Sequence, residues 1–177
     1  DLISNQVKTE TAEESLKKLM ASCALQILYD LSCCPGVDDQ GNVNPDVLRS
    51  YIYRLYELSV ERHRTQVVDM VVGTVLGNLP RNDTYPQAIL GEIVEELKSN
   101  SVDKHIMIRI FNSRGVTIHA FAEGGNQERS LAALFKSYRD KVKFKYPRLA
   151  KIFTKMTHKY ERDANSEDCI AELKDLE

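Results

Sequence analysis

Residues 105–121 read HIMIRIFNSRGVTIHAF, and the fold class turns on them. Divided as HIMIRIF, then Asn112-Ser-Arg-Gly115, then VTIHAF, the stretch is two apolar runs about a four-residue turn, the pattern of a β-hairpin. Read at helical period, Ile106, Met107, Ile110 and Phe111 share one face of a short helix capped at Gly115. A lone two-stranded hairpin is only marginally stable, and the flanking sequence is helical in period on both sides. The surroundings favour a short helix followed by an extended loop, with a short hairpin at 105–121 as the alternative.

Working upstream, Ser99-Asn100-Ser101 is a break, and before it Pro86 opens a helix carrying Ile89, Leu90, Ile93, Val94 and Leu97. Val68, Val71, Val72, Val75, Leu76 and Leu79 mark another helix, which Pro80 ends. It contains Gly73-x-x-x-Gly77, and a helical glycine costs about 1 kcal/mol relative to alanine. Two on one face point to close approach of another helix. Asn44-Pro45 is a helix start, with Asn as cap and Pro where a missing N–H costs nothing. Leu48, Tyr51, Ile52, Leu55 and Leu58 follow, to about Arg64. Residues 35–44 are a loop. Thr11-Ala-Glu-Glu14 has the form of a capping box. After it Leu16, Leu19, Met20, Cys23, Ala24, Ile27, Leu28 and Leu31 predict an amphipathic helix with one wide buried face.

Downstream, Glu123-Gly124-Gly125-Asn126 is a turn ending in a helix cap. Leu131, Leu134, Phe135, Tyr138 and Val142 define the next helix, and Pro147 restarts the chain for Leu149, Ile152, Phe153, Met156 and Tyr160. The expected fold is all-α, an irregular bundle of six or seven amphipathic helices. Residues 1–11 read as a flexible lead-in, 12–163 as a single helical domain, and 164–177 as an acidic tail that either continues the last helix or docks elsewhere.

With 177 residues, 42% of them hydrophobic and 28% charged, and a net charge of −2, the composition is globular. It excludes disordered and fibrous chains, and no apolar run approaches the roughly 20 residues of a membrane span. No membrane association is expected. The chain begins at Asp1, which reads as an excised piece of a longer protein or a processed one. Cys23, Cys33, Cys34 and Cys169 match no zinc spacing. They suit thiols in a reducing compartment, hence a cytoplasmic location. No metal and no cofactor are expected.

Charge is unevenly placed. From Glu128 to Arg162 eleven cations face three anions, so this segment is +8 and the remainder −10. Arg148, Lys151, Lys155, Lys159 and Arg162 recur every three or four residues along one edge of a helix, and Lys141, Lys143 and Lys145 crowd the turn before it. This edge can meet an acidic protein surface, track a phosphate backbone with salt-sensitive affinity, or simply be solvated. The aromatics Phe135, Tyr138, Phe153 and Tyr160 sit at core spacing, which withholds them from stacking on bases.

Taken in order, Asn112-Ser-Arg-Gly-Val116, Glu123-Gly-Gly-Asn-Gln-Glu-Arg129, Tyr138-Arg139, Pro147-Arg-Leu-Ala150 and Tyr160-Glu-Arg-Asp-Ala164 resemble the carboxy-terminal region of large, poorly characterised multidomain bacterial proteins. The chain departs from that pattern in having no Trp between the Tyr-Arg and Pro-Arg phrases. The resemblance implies a C-terminal module of a bigger intracellular protein and attaches no catalytic residue.

Three smaller groupings have candidate chemistry. Gly124, Gly125 and Asn126 precede a helix with Arg129 in its first turn, so free amides and a guanidinium can hold a phosphate or carboxylate; the plain alternative is an ordinary cap. Arg114 and His119 have the Arg-x4-His spacing that resembles the helical HEPN ribonucleases, although Gly-Val-Thr-Ile between them is poor helix material. Glu57, Glu61 and His63 suggest acid–base groups but fit a solvated face as well. No nucleophile, base and oxyanion donor assemble, so no catalytic residue is assigned. The expected function is a non-catalytic helical module for protein–protein contact, using the basic edge and the acidic tail. The alternatives are nucleic-acid binding through 129–162 and, behind it, a HEPN-like ribonuclease; the oligomeric state is open.

Overall fold

The computed structural model describes residues 12–30, 33–61, 64–114 and 125–174. Within them are seven helices: α1 Ala12–Asp30, α2 Pro45–Glu61, α3 Thr65–Gly77, α4 Ala88–Leu97, α5 Asn100–Asn112, α6 Asn126–Val142 and α7 Pro147–Lys174. The fold is all-α, and the extended pairing among the described residues is one isolated bridge between Val37 and Val43.

The decisive stretch is helical. Residues 105–112 belong to α5, which removes the first strand of the hairpin alternative; Gly115 to Phe121 lie outside the described residues. Ser99, expected within a break, is the cap of α5: its Oγ accepts from the amides of Ser101 at 3.2 Å and Val102 at 3.3 Å. The break is shorter than the sequence suggests because Lys98 adopts a left-handed conformation (φ 50°) that ends α4 and turns the chain at once.

The chain divides into two compact units, Asp1–Ser32 and Cys33–Glu177. In the first unit α1 is the described element. Of its expected buried face, Leu16, Leu19 and Met20 are 56%, 61% and 64% exposed and Cys23 is exposed; Ala24, Ile27, Leu28 and Leu31 lie outside the residues whose side chains are described. Thr11 and its capping box lie outside the described residues.

In the second unit Asn44 caps α2 as expected, its Oδ1 accepting from Asp46 N at 3.1 Å and Val47 N at 3.2 Å. Leu48 and Ile52 are buried. The glycine pair of α3 faces α5 at very short range. A Cβ placed on Gly73 would lie 2.5 Å from His105 Cβ and 2.8 Å from the Val102 carbonyl oxygen; one on Gly77 would lie 2.7 Å from Arg109 Cβ. Asp69 of α3 joins three helices, accepting from Tyr56 Oη of α2 at 2.7 Å and from the cap hydroxyl Ser99 Oγ at 2.6 Å.

The helices α6 and α7 form a long hairpin with an aromatic interior. Phe135 stacks on Tyr160 with centroids 5.5 Å apart, and Tyr138 meets Tyr85 edge-on at 4.8 Å. Leu149, Ile152, Phe153, Met156, Tyr160 and Ala164 line the inner face of α7. The helix runs unbroken to Lys174, across the boundary expected at 163/164, and residues 175–177 lie outside the described residues.

Candidate interaction surface

The eight expected cations do not form one free stripe, because five of them turn to partners. Arg148 grips Asp103 of α5 from Nε (3.1 Å) and Nη2 (2.8 Å) and adds Asn100 Oδ1 at 2.9 Å. Lys159 pairs with Asp163 at 3.1 Å and sits 4.3 Å from the centroid of the Phe111 ring. Lys141 donates to the Tyr85 carbonyl at 3.3 Å, Lys143 pairs with Asp140 at 3.3 Å, and Lys145 lies 5.1 Å over the Tyr146 ring. At 100° per residue, Arg148 and Lys159 point roughly 60–80° to the side of Lys151, where α5 supplies the anion and the ring.

Lys151, Lys155 and Arg162 remain. All three are exposed, with no ion pair among the described residues, and they lie at i, i+4 and i+11. The exposed His158 at i+7 shares their line. This line is opposite the Phe153–Met156–Tyr160 face, so the core that fixes the helix also fixes the ribbon's outward direction.

Sequence reasoning missed Phe144. It lies on the turn between α6 and α7, 92% exposed, with Lys143 Nζ 5.2 Å from its ring centroid. The signal was available: Phe144 falls after the last stripe residue of α6, Val142, and before Pro147, so it is in phase with neither helix.

At the expected anion site, Gly125 and Arg129 engage the protein's own carboxylate. Asp168 of α7 accepts from Gly125 N at 2.8 Å and from Arg129 Nη1 and Nη2 at 2.7 and 2.9 Å. The guanidinium, and next the Gly125 amide, hold the Asp168 carboxyl down at about 2. Asn126 Oδ1 accepts from Arg129 Nη2 at 3.4 Å, and Gly124 lies outside the described residues.

The ribonuclease-like pair is not assembled in what is described. Arg114 binds Glu128 at 2.6 Å, with side-chain exposures of 18% and 4%, and its guanidinium carbon lies 5.6 Å from the centroid of the Tyr160 ring. His119 lies outside the described residues, as does His63. Glu57 pairs with Arg54 at 2.9 Å and Glu61 is exposed. Among the cysteines, Cys34 is buried and its thiol is pushed up to about 12 by burial, while Cys23, Cys33 and Cys169 are exposed. Among the described residues no group of three or more His, Cys, Asp or Glu side chains could hold a metal ion, and no helix is long and apolar enough to cross a membrane.

Two open grooves flank α7. One of about 390 Å³ lies against α6, lined by Arg129, Ala133, Lys136, Glu161 and Asn165. The other, of about 170 Å³, lies against α5 and is apolar apart from Lys159 and Asn112, with Met107, Ile108, Phe111 and Met156 as its walls. Neither brings together a nucleophile and a base. Set against known proteins, the chain matches no family model, no curated protein and no solved structure. Any functional reading therefore rests on its own surfaces.

Proposed function

We propose that this chain is a non-catalytic helical module for protein–protein contact, acting as part of a larger intracellular protein or assembly. The observation that carries the reading is the stripe on α1. Leu16, Leu19, Met20 and Cys23 follow the i, i+3, i+4, i+7 pattern by which an amphipathic helix seats itself in an apolar groove, and all four are exposed. Covering the exposed parts of the three large side chains is worth about 3–5 kcal/mol at ordinary transfer values. That is enough to anchor a contact that rim interactions complete. The sequence-level contact surfaces, the basic edge and the tail, are weaker supports, since most of the edge is held internally and α7 runs through the tail as far as Lys174.

The test is site-specific photocrosslinking in cells with benzoylphenylalanine at position 16, 19 or 20, and at Lys18 and Ala21 on the opposite face. A discrete intermolecular adduct from the first set and none from the second is expected. Adducts confined to the chain itself, or equal yields from both faces, would overturn the reading.

A further inference from the structure

On the outer edge of α7, a sector about 120° wide from Arg148 to Ser166 contains cations, His158, Asn165 and Ser166 and no carboxylate at helical phase. A helix face that serves only solvation usually mixes signs, which gains i,i+4 pairs and avoids self-repulsion. Elsewhere on α6 and α7 the chain does so: Arg129 with Asp168, Arg139 with Asp140, Lys143 with Asp140; within the sector, Arg148 and Lys159 at its rim turn aside to Asp103 and Asp163. The single-sign edge is the exception. Lys151, Lys155 and Arg162 extend along about 16 Å of it, with successive basic side chains one turn or two apart.

Phe144 lies on the turn that leads into α7, seven residues ahead of Lys151, its ring almost wholly in water with Lys143 Nζ 5.2 Å from its centroid. Binding of single-stranded nucleic acid needs an aromatic platform free to stack and a positive track for the backbone leading away from it. The core aromatics are unfit for the first role, since Phe135, Phe153 and Tyr160 are 3%, 0% and 1% exposed. Phe144 supplies it. A planar anionic membrane would also take up an exposed ring and a line of cations, so competition by anionic vesicles is one arm of the test. A duplex would meet the ribbon but offers no open base to the ring. An acidic protein helix would likewise leave the ring uncovered.

We infer that Phe144 and the Lys151–Lys155–Arg162 edge of α7 form a binding surface for single-stranded nucleic acid, with the ring stacking on a base and the three cations following the phosphates downstream. Recognition is of backbone and base face, so sequence preference is slight.

The experiment is fluorescence anisotropy of labelled 15-mer oligo-dT and oligo-U with the full chain at 50 and 200 mM salt. Three phosphate contacts on a single strand give a log–log salt slope of about −2, so the fourfold rise in salt weakens binding about 20-fold. The triple variant Lys151→Ala/Lys155→Ala/Arg162→Ala should bind at least 10-fold more weakly at 50 mM and lose most of that slope. Phe144→Ala should weaken binding about 10-fold with the slope retained. All four positions are exposed, so both variants should keep the parent's helical circular dichroism and melting temperature. The inference fails on no binding at 100 μM protein in 50 mM salt, or on binding insensitive to these variants. Equal affinity for a 15-base-pair duplex or for polyglutamate also refutes it. So does Phe144-dependent flotation with phosphatidylserine vesicles that outcompetes the oligonucleotide.

Discussion

Replacing Gly73 by alanine sets two calculable effects against each other. In an unpacked helix the change would stabilise by about 1 kcal/mol through propensity. Here the added methyl would lie 2.5 Å from His105 Cβ, 2.8 Å from Val102 O and 3.2 Å from Ile106 N. All three belong to the backbone or its first side-chain atom on α5, so no rotamer change can clear them. Reaching ordinary contact requires α5 to retreat by about 1 Å, which thins the packing around Val102, Ile106 and Ile110, all buried. Overpacking of this kind costs about 3 kcal/mol, leaving a net loss of about 2 kcal/mol. For a chain of this size that is a fall of roughly 4–8 °C in melting temperature. Gly77→Ala should lose less, because its closest contacts are longer, 2.7 Å to Arg109 Cβ and 3.2 Å to the Ile106 carbonyl oxygen, and the remaining one, Arg109 Cγ at 2.9 Å, can turn aside. Urea denaturation with a common m-value would measure both. A Gly73→Ala midpoint equal to or above the parent's would show that α3 and α5 do not meet through this glycine face.

Arg148→Ala should cost about 1–3 kcal/mol, because it strips a mostly buried Asp103 of its charged partner, whereas Lys151→Ala should change stability by less than about 0.5 kcal/mol; urea midpoints compare the two. Glu128→Ala, which leaves Arg114 against Tyr160 without its carboxylate, should destabilise by about 3 kcal/mol, and a loss below about 1 kcal/mol in chemical denaturation would contradict the pairing. The Asp168 carboxyl is depressed in the fold, so its contribution is fully present above its ordinary 3.8 and is lost as pH falls through about 2. Thermal melts of the parent and of Asp168→Asn should accordingly differ at neutral pH and converge across that window; a constant gap would refute the latch to Arg129 and Gly125.

Helix existence was legible in the residues, because burial on one face of a helix imposes a 3.6-residue recurrence that Leu48/Ile52, Ile89/Ile93 and Phe153/Met156/Tyr160 all display. The glycine spacing in α3 likewise announced a close neighbour, since two bare Cα positions one turn apart serve little else. The identity of that neighbour, α5, was not legible, and neither was the choice of helix for residues 105–112. Both depend on partners distant in the chain. The candidate surface divides the same way. Positions of the cations on α7 followed from periodicity, but which of them were free did not: Asp103, 45 residues upstream, holds Arg148, and Phe111 holds Lys159.

Periodicity, caps and prolines, being properties of adjacent residues, determined that this protein is helical and roughly where each helix lies. Packing decided everything that depends on what lies across a gap in the chain. It brought Asp168 onto the Gly125 amide and the Arg129 guanidinium and left Phe144 in water between two helices. The physical reason is that local propensity acts over a few residues, whereas the pairing of a charge or the covering of an apolar face is settled only when distant segments meet.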